Sequence, residues 1–167
     1  MIVQANAKIN LSLSVVGKRE DGYHELDMIM VPISLYDTIE IEVLSDEYET
    51  LVEMDDYSVA EKNSVTKAIA LMKEHFHIQE EFYVFVHKRI PSEAGLGGGS
   101  SDAAFVMKAI VQLLHLKTSD EELMTLGKKI GADVPFFIIN KPARVQGIGE
   151  KITPITCSKD YKFLLMK

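Results

Sequence analysis

Four of the five residues from Gly95 to Gly99 are glycine, and Ser100, Ser101 and Asp102 follow directly. Glycines admit positive φ and let a backbone come close to a ligand. A glycine-rich turn that opens a helix offers an anion unpaired N–H groups and a partial positive charge. The hydroxyls of Ser100 and Ser101 add donors, and one of them could help hold a magnesium ion that bridges phosphates. The turn lacks the Gly-Lys-Ser/Thr ending of a Walker A loop and the spacing of a dinucleotide fingerprint. So many glycines would cost a plain surface turn much backbone entropy. Phosphate binding is therefore the expected chemistry.

Three other places carry residues suited to chemistry. Residues 8 to 15 alternate, with Ile9, Leu11, Leu13 and Val15 against Lys8, Asn10, Ser12 and Ser14. That period of two predicts a half-buried strand with Lys8, Asn10 and Ser12 together on its polar face. Taken alone, a lysine there is usually solvated. Asp133 precedes Val134-Pro135, where proline biases its neighbour towards an extended backbone, so a turn aspartate is the plain reading. Tyr23 and His24 follow the turn signal Asp21-Gly22 and by themselves would be loop-tip residues.

The elements that must position these residues can be read from the same pattern. Met28–Leu35, with Pro32 inside, is expected as an edge or bulged strand. A turn at Asp37-Thr38 leads into a strand carrying Ile39, Ile41 and Val43. Asn63 or Ser64 caps a helix with Val65, Ala68, Ile69, Met72 and Phe76 on one face. Residues 82–87 form a strand, and a helix runs from about Ser101 to Leu114 after the glycine cluster. Ser119-Asp120-Glu121-Glu122 has capping-box spacing and starts a helix ending near Gly131. Phe136–Ile139 is expected as a short strand. Strands first and helices later predict an α+β fold, a mixed sheet with helices packed on one face.

Composition excludes several classes. The 167 residues are 47% apolar and 26% charged, as in one ordinary globular domain. A net charge of −7 counts against a nucleic-acid backbone or an anionic membrane as the main partner. Cys157 is the only cysteine, so no intrachain disulfide is possible, which fits a reducing compartment. The opening MIVQANAKINL has no signal-peptide pattern, and no run approaches the roughly 20 apolar residues of a membrane span. The expected protein is soluble and cytoplasmic.

The segment Pro91-Ser-Glu-Ala-Gly-Leu-Gly-Gly-Gly-Ser-Ser-Asp-Ala103 resembles the ATP-binding loop of the GHMP kinases. That superfamily is named after galactokinase, homoserine kinase, mevalonate kinase and phosphomevalonate kinase. Within it, Ala7-Lys-Ile-Asn-Leu-Ser-Leu13 resembles the opening strand of the diphosphocytidyl-methylerythritol kinases. Arg19-Glu-Asp-Gly-Tyr-His24 is similar to their Arg-x-Asp-Gly-Tyr-His signature. Lys129-Ile-Gly-Ala-Asp-Val-Pro-Phe136 resembles their catalytic-aspartate segment, followed by Gly147-Ile-Gly-Glu150. One departure is Asn6, where proline is usual.

The resemblance implies an ATP-binding domain over residues 1–160, with 161–167 opening a second domain that the chain lacks. Members run to nearly twice this length. An artificial boundary, a truncated gene product and a chain completed by a partner would each account for the difference. The resemblance further implies ATP and Mg²⁺ as cofactors, and phosphorylation of a hydroxyl on a cytidine-diphosphate-linked sugar alcohol. Asp133 would accept or orient the hydroxyl proton, and Lys8 would neutralise developing charge. Gly95, Leu96, Gly97, Gly98, Gly99, Ser100 and Ser101 would hold the phosphates, and Asn63 and Lys88 would lie near the adenosine. Asn10 would contact the substrate near the reaction site, and Tyr23 and His24 would recognise the cytosine.

Two alternatives remain open. Another GHMP kinase, acting on mevalonate or homoserine, would give Tyr23 and His24 no base to stack on. A non-catalytic nucleotide-binding module would need neither Lys8 nor Asp133. RNA binding follows only by fold analogy with a ribosomal-protein domain, and the acidic balance opposes it. Without a second half, an open cleft predicts poor nucleotide binding and little turnover.

Overall fold

The computed structural model describes every residue except 19, 21, 46, 56–62, 158–160 and 167. The expected turn at Asp21 and the arginine of its signature, Arg19, therefore lie outside the described residues. Six strands and four helices follow in the order β1 (Ile2–Lys18), β2 (His24–Leu44), β3 (Leu51–Met54), α1 (Ser64–Phe76), β4 (Glu81–His87), α2 (Gly98–Leu113), α3 (Asp120–Gly127), α4 (Val134–Ile139), β5 (Ala143–Gly147) and β6 (Lys151–Pro154). The strands make one mixed sheet in the order β3-β4-β2-β5-β6, with β1 also on β2. Among the described residues only the β3–β4 pairing is parallel.

On β4, Phe82, Val84 and Val86 are buried while Glu81, Tyr83, Phe85 and His87 are partly exposed. The buried set shares one core with Val65, Ala68, Ile69 and Met72 of α1 and with Ala103, Val106, Met107 and Ile110 of α2. The helices thus cover one face of the sheet, which is the α+β arrangement expected.

β2 differs most from the expectation. It is one 21-residue strand, with no turn at Asp37-Thr38 and no edge position. β1 follows one edge, while β4 pairs with Thr38–Leu44 and β5 with Leu26–Met30 along the other. The expected bulge is present: between Asn6 and Lys8 the register jumps from Tyr36 to Pro32. Proline cannot donate to the ladder, so the pairing yields there. Across this irregularity the buried phase switches from even positions (Met28, Met30) to odd ones (Asp37, Ile39, Ile41). Asp37 enters the core by that switch.

The apolar stripe of β1 also departs from expectation. Leu11, Leu13 and Val15 are exposed, Leu13 by 52%. Lys8, expected on a solvated face, is instead buried.

Helix boundaries shift as well. Asn63 caps α1, its carboxamide oxygen accepting from the N–H groups of Val65 and Thr66. α2 starts at Gly98, three positions before Ser101, so the last glycines form its first turn. α3 ends at Gly127 and does not reach Gly131. Ser119 caps it through the Glu122 N–H, but the Glu122 carboxylate turns to His75 and Thr118, so the reciprocal bond of a capping box is replaced. Phe136–Ile139 belongs to a helix, α4, and not to a strand. Pro135 sits in its first turn, where a missing N–H costs nothing, and Asn140 closes it in a left-handed conformation. Val134, Phe136, Phe137 and Ile138 are all buried, so the run reads as apolar whichever element carries it. No helix among the described residues is long and apolar enough to cross a membrane.

Candidate active site

The glycine loop leaves β4, crosses the sheet edge and enters α2. Gly95 and Gly97 have φ of 71° and 75°, which a side chain would strain. At Gly97 space adds a second constraint. A Cβ there would lie 2.9 Å from ring carbons of Phe137 and 3.3 Å from Cγ of Lys8. The loop therefore rests on the lysine stem and on α4. The Lys8 N–H, released by the irregular β1–β2 register, donates to the Leu96 carbonyl at 3.0 Å. Gly97 is the N-cap of α2 and makes no side-chain cap bond, so the first N–H groups of a 16-residue helix open towards a cavity of about 340 Å³. Gly95–Ser100 line that cavity with Lys88 and Ser64. This is the geometry of an anion site at a helix N-terminus.

Beside it lies an ion pair. Lys8 Nζ is 3.5 Å from Asp133 Oδ2, the lysine side chain 7% exposed and the aspartate 34%. Asp133 is the residue before α4, and Phe137 of that helix is the ring touching the loop. One short helix thus sets the carboxylate and the loop against each other. A buried ammonium with a half-open carboxylate next to a phosphate cradle can neutralise a developing charge and receive a proton from a hydroxyl.

The remaining expected residues divide. Ser100 lines the cavity, whereas Ser101 is fully buried and its hydroxyl donates to the Asn6 carbonyl at 2.6 Å. Ser64 takes a place beside the loop that the sequence did not mark, its hydroxyl donating to the Gly99 carbonyl at 2.6 Å. Asn63 caps α1, next to Ser64. Asn10 is exposed, two positions beyond Lys8 on β1. Tyr23 is 62% exposed, and His24 pairs with Lys18, ten strand positions from Lys8. At about 3.3 Å per residue that is up to roughly 33 Å of strand. Irregularities at Asn10/Ser12 and Val15/Gly17 bend the hairpin along the way. The structure thus brings Lys8, Asp133, Ser100 and the glycine loop together, and leaves Tyr23 and His24 at the far end of the hairpin.

Lys88 occupies a setting of its own. Its ammonium donates to Asp37 Oδ2 at 2.5 Å and to Asp102 Oδ2 at 2.7 Å. Burial alone would lower its pKa, but Asp102 and Asp37 hold it above the usual lysine value. Burial pushes the Asp102 carboxyl up to about 7, Lys88 opposing and Asp37 adding to the rise. Asp102 Oδ1 has no hydrogen-bond partner. The sequence pattern places Asp37 in a turn and gives Asp102 no role of its own. The odd-numbered run Asp37, Ile39, Ile41 was the one available signal for Asp37.

Comparison with known proteins follows this geometry. Residues 63–141, from the α1 cap past α4, match the family described as GHMP kinases N terminal domain. The whole chain is 42% identical to the 4-diphosphocytidyl-2-C-methyl-D-erythritol kinase of Clostridium acetobutylicum, spanning 60% of that protein's length. It is 46% identical over 154 residues to the same-named kinase of Clostridioides difficile, covering 92% of this chain and 52% of the relative. A crystal structure of 4-(cytidine 5'-diphospho)-2C-methyl-D-erythritol kinase superposes with a TM-score of 0.80 at 37% identity, over 93% of this chain and 55% of that one. A mevalonate kinase structure, at 18% identity and TM-score 0.67 over 93% of this chain and 56% of that one, shares the fold. The cradle at the start of α2 lies inside the segment, residues 63–141, that matches the GHMP kinase N-terminal domain.

Proposed function

We propose that the chain is the N-terminal part of an ATP-dependent kinase that phosphorylates a hydroxyl of 4-diphosphocytidyl-2-C-methyl-D-erythritol. The observation that carries this reading is the Lys8–Asp133 pair, set against the glycine loop by Gly97 and by the Lys8–Leu96 backbone bond. The names of relatives at 42% and 46% identity support the choice of substrate.

The residues present fit a polyphosphate, because the N-terminus of α2 lacks a side-chain cap and the loop leaves no room for a Cβ at Gly97. In this reading Gly95–Ser100 bind the phosphates through backbone N–H groups. Asp133 takes the proton of the attacking hydroxyl, and Lys8 holds that carboxylate in place while lowering the charge at the reacting oxygen. Among the described residues no group of three His, Cys, Asp or Glu could hold a metal ion. The Ser100 hydroxyl could help hold a magnesium ion bound to the phosphates, which would supply neutralisation of their charge. Asn10 would touch the substrate beside the reaction site. Tyr23 and His24 would stack on the cytosine, which requires the hairpin to curve back towards the loop. Residues 1–160 would form the nucleotide-binding domain of a cytoplasmic enzyme, and 161–167 would lead towards the second one.

Transfer of the γ-phosphoryl group tests this, with the chain alone and with the chain joined to the remainder of the Clostridium acetobutylicum relative. Transfer to the cytidine substrate by the joined protein, and little by the chain alone, is expected. Transfer to mevalonate or homoserine instead would overturn the substrate. No transfer to any of the three would favour a binding role.

A further inference from the structure

Apart from the Lys8–Asp133 pair, the buried charges among the described residues gather at one place. Asp37 is fully buried on β2, Asp102 is 1% exposed early in α2, and Lys88 follows the end of β4. Asp37 Oδ1 accepts the N–H groups of Arg89 at 2.5 Å and Ile90 at 2.8 Å, the residues through which the chain enters the glycine loop. Asp37 Oδ2 accepts from Lys88, whose ammonium reaches on to Asp102, in the helix by which the chain leaves that loop. The same group touches the loop itself. A Cβ at Gly98 would lie 3.1 Å from Ile90 Cγ2 and 3.4 Å from Lys88 Nζ.

Stability alone gives a poor account of this arrangement. Three buried charges lose solvation, and well-packed apolar residues of similar volume often do as well or better. Placement gives a better one. A loop with four glycines in five residues has much conformational freedom to lose on binding a ligand. Fixing its two ends to one point removes part of that loss beforehand. Resting on the reading of the loop as a phosphate site, we propose that Asp37 and Asp102 are positioning residues that act through Lys88 to hold the glycine loop in its anion-binding conformation. Lys88 then serves the nucleotide as the tether of the loop, its ammonium committed to the two carboxylates and not to the adenosine.

The test uses the whole chain with Asp37→Asn, Asp102→Asn and Lys88→Met, the conservative Lys88→Arg, and Gly97→Ala as a control on the loop. Hydrogen exchange of the Gly95–Gly99 amides is read without ligand, and ATP affinity by calorimetry, at a temperature where circular dichroism shows each variant folded. In the three clamp variants the loop amides should exchange at least roughly tenfold faster, and ATP should bind roughly tenfold more weakly. The amides of β4 should be unchanged, and Lys88→Arg should recover part of both effects. If Asp37→Asn fails to fold, the double variant Lys88→Met/Asp102→Leu, which keeps the Asp37 carboxylate on the Arg89 and Ile90 N–H groups, carries the same readouts. Loop exchange equal to the parent's in folded variants overturns the clamp, whatever happens to ATP. Faster loop exchange with unaltered ATP affinity overturns its role in binding. A parent chain that binds no ATP, with Gly97→Ala also without effect, overturns the phosphate-site reading instead and takes the proposal with it.

Discussion

Lys8 has two attachments, and a substitution separates them. Its side chain meets Asp133, while its backbone N–H holds the Leu96 carbonyl. Lys8→Ala removes the first and leaves the second, so the loop should stay in place while the charge beside the reacting oxygen is lost. In the joined, active protein, kcat is expected to fall roughly a hundred- to a thousandfold, with ATP affinity within about threefold of the parent. Asp133→Asn keeps the shape of the carboxylate but cannot take a proton, and kcat should fall roughly a hundred- to ten-thousandfold. Steady-state kinetics with separately measured ATP binding checks both. Equal losses in turnover and in affinity would mean that these residues build the nucleotide site and do not serve the transfer. The contrast with Asp37 and Asp102 is instructive. All four are charged residues placed by the fold, yet only the first pair includes a half-open carboxylate, so only it is expected to act on turnover directly.

At the level of elements, α3 and α4 approach closely enough for a single methyl group to matter. Gly127, the last residue of α3, is buried, and a Cβ there would lie 2.7 Å from Cγ1 of Val134. Gly127→Ala should therefore destabilise the chain by about 1–3 kcal/mol through overpacking, seen as a lower Tm. Val134→Ala removes the methyl that is struck, so the double variant should be less unstable than the sum of the two single ones. Strict additivity would show that α4 shifts freely and that its start, where Asp133 stands, is not fixed by α3. The same region shows what a sequence can and cannot convey. The glycine loop, the α1 cap at Asn63 and the β4 alternation were legible because each rests on neighbours in the chain. Phe136–Ile139 was not, since four consecutive apolar residues have no period and the choice of helix was made by α2 and α3 packing around them. Asp37 looked like a turn because its burial depends on an irregularity opposite Asn6–Lys8, which only the paired strand reveals. Leu11, Leu13 and Val15 were read correctly as a strand and wrongly as buried, because an alternation fixes which side chains share a face and not what covers that face.

Across the whole molecule, two sets of charges should shape stability in opposite directions as pH changes. Asp27, Glu81 and Glu122 each have a carboxyl held below its ordinary value, by hydrogen bonds from Arg144, Lys73 and His75 respectively. These pairs join β2 to β5, α1 to β4, and α1 to α3. A depressed folded pKa contributes stability above the unfolded value that is lost as pH falls through the folded one. They therefore produce an acid limb, below the ordinary values of 3.8 for the aspartate and 4.5 for the glutamates. All three are partly exposed, so salt should soften that limb. Asp102 runs the other way. Its folded value of about 7 lies above the ordinary value of 3.8, so the folded state holds an extra proton between those points. Stability should then decline as pH rises through that window and level off above it. The expected profile has its maximum on the acidic side of neutrality. Urea midpoints measured from about pH 3 to about pH 9 would trace both limbs. Asp102→Asn should abolish the decline towards neutral pH while leaving the acid limb intact. An unchanged slope in that variant would mean that Asp102 stays ionised throughout, with Lys88 outweighing both burial and Asp37. The clamp would then carry a permanent net negative charge next to the phosphate cradle.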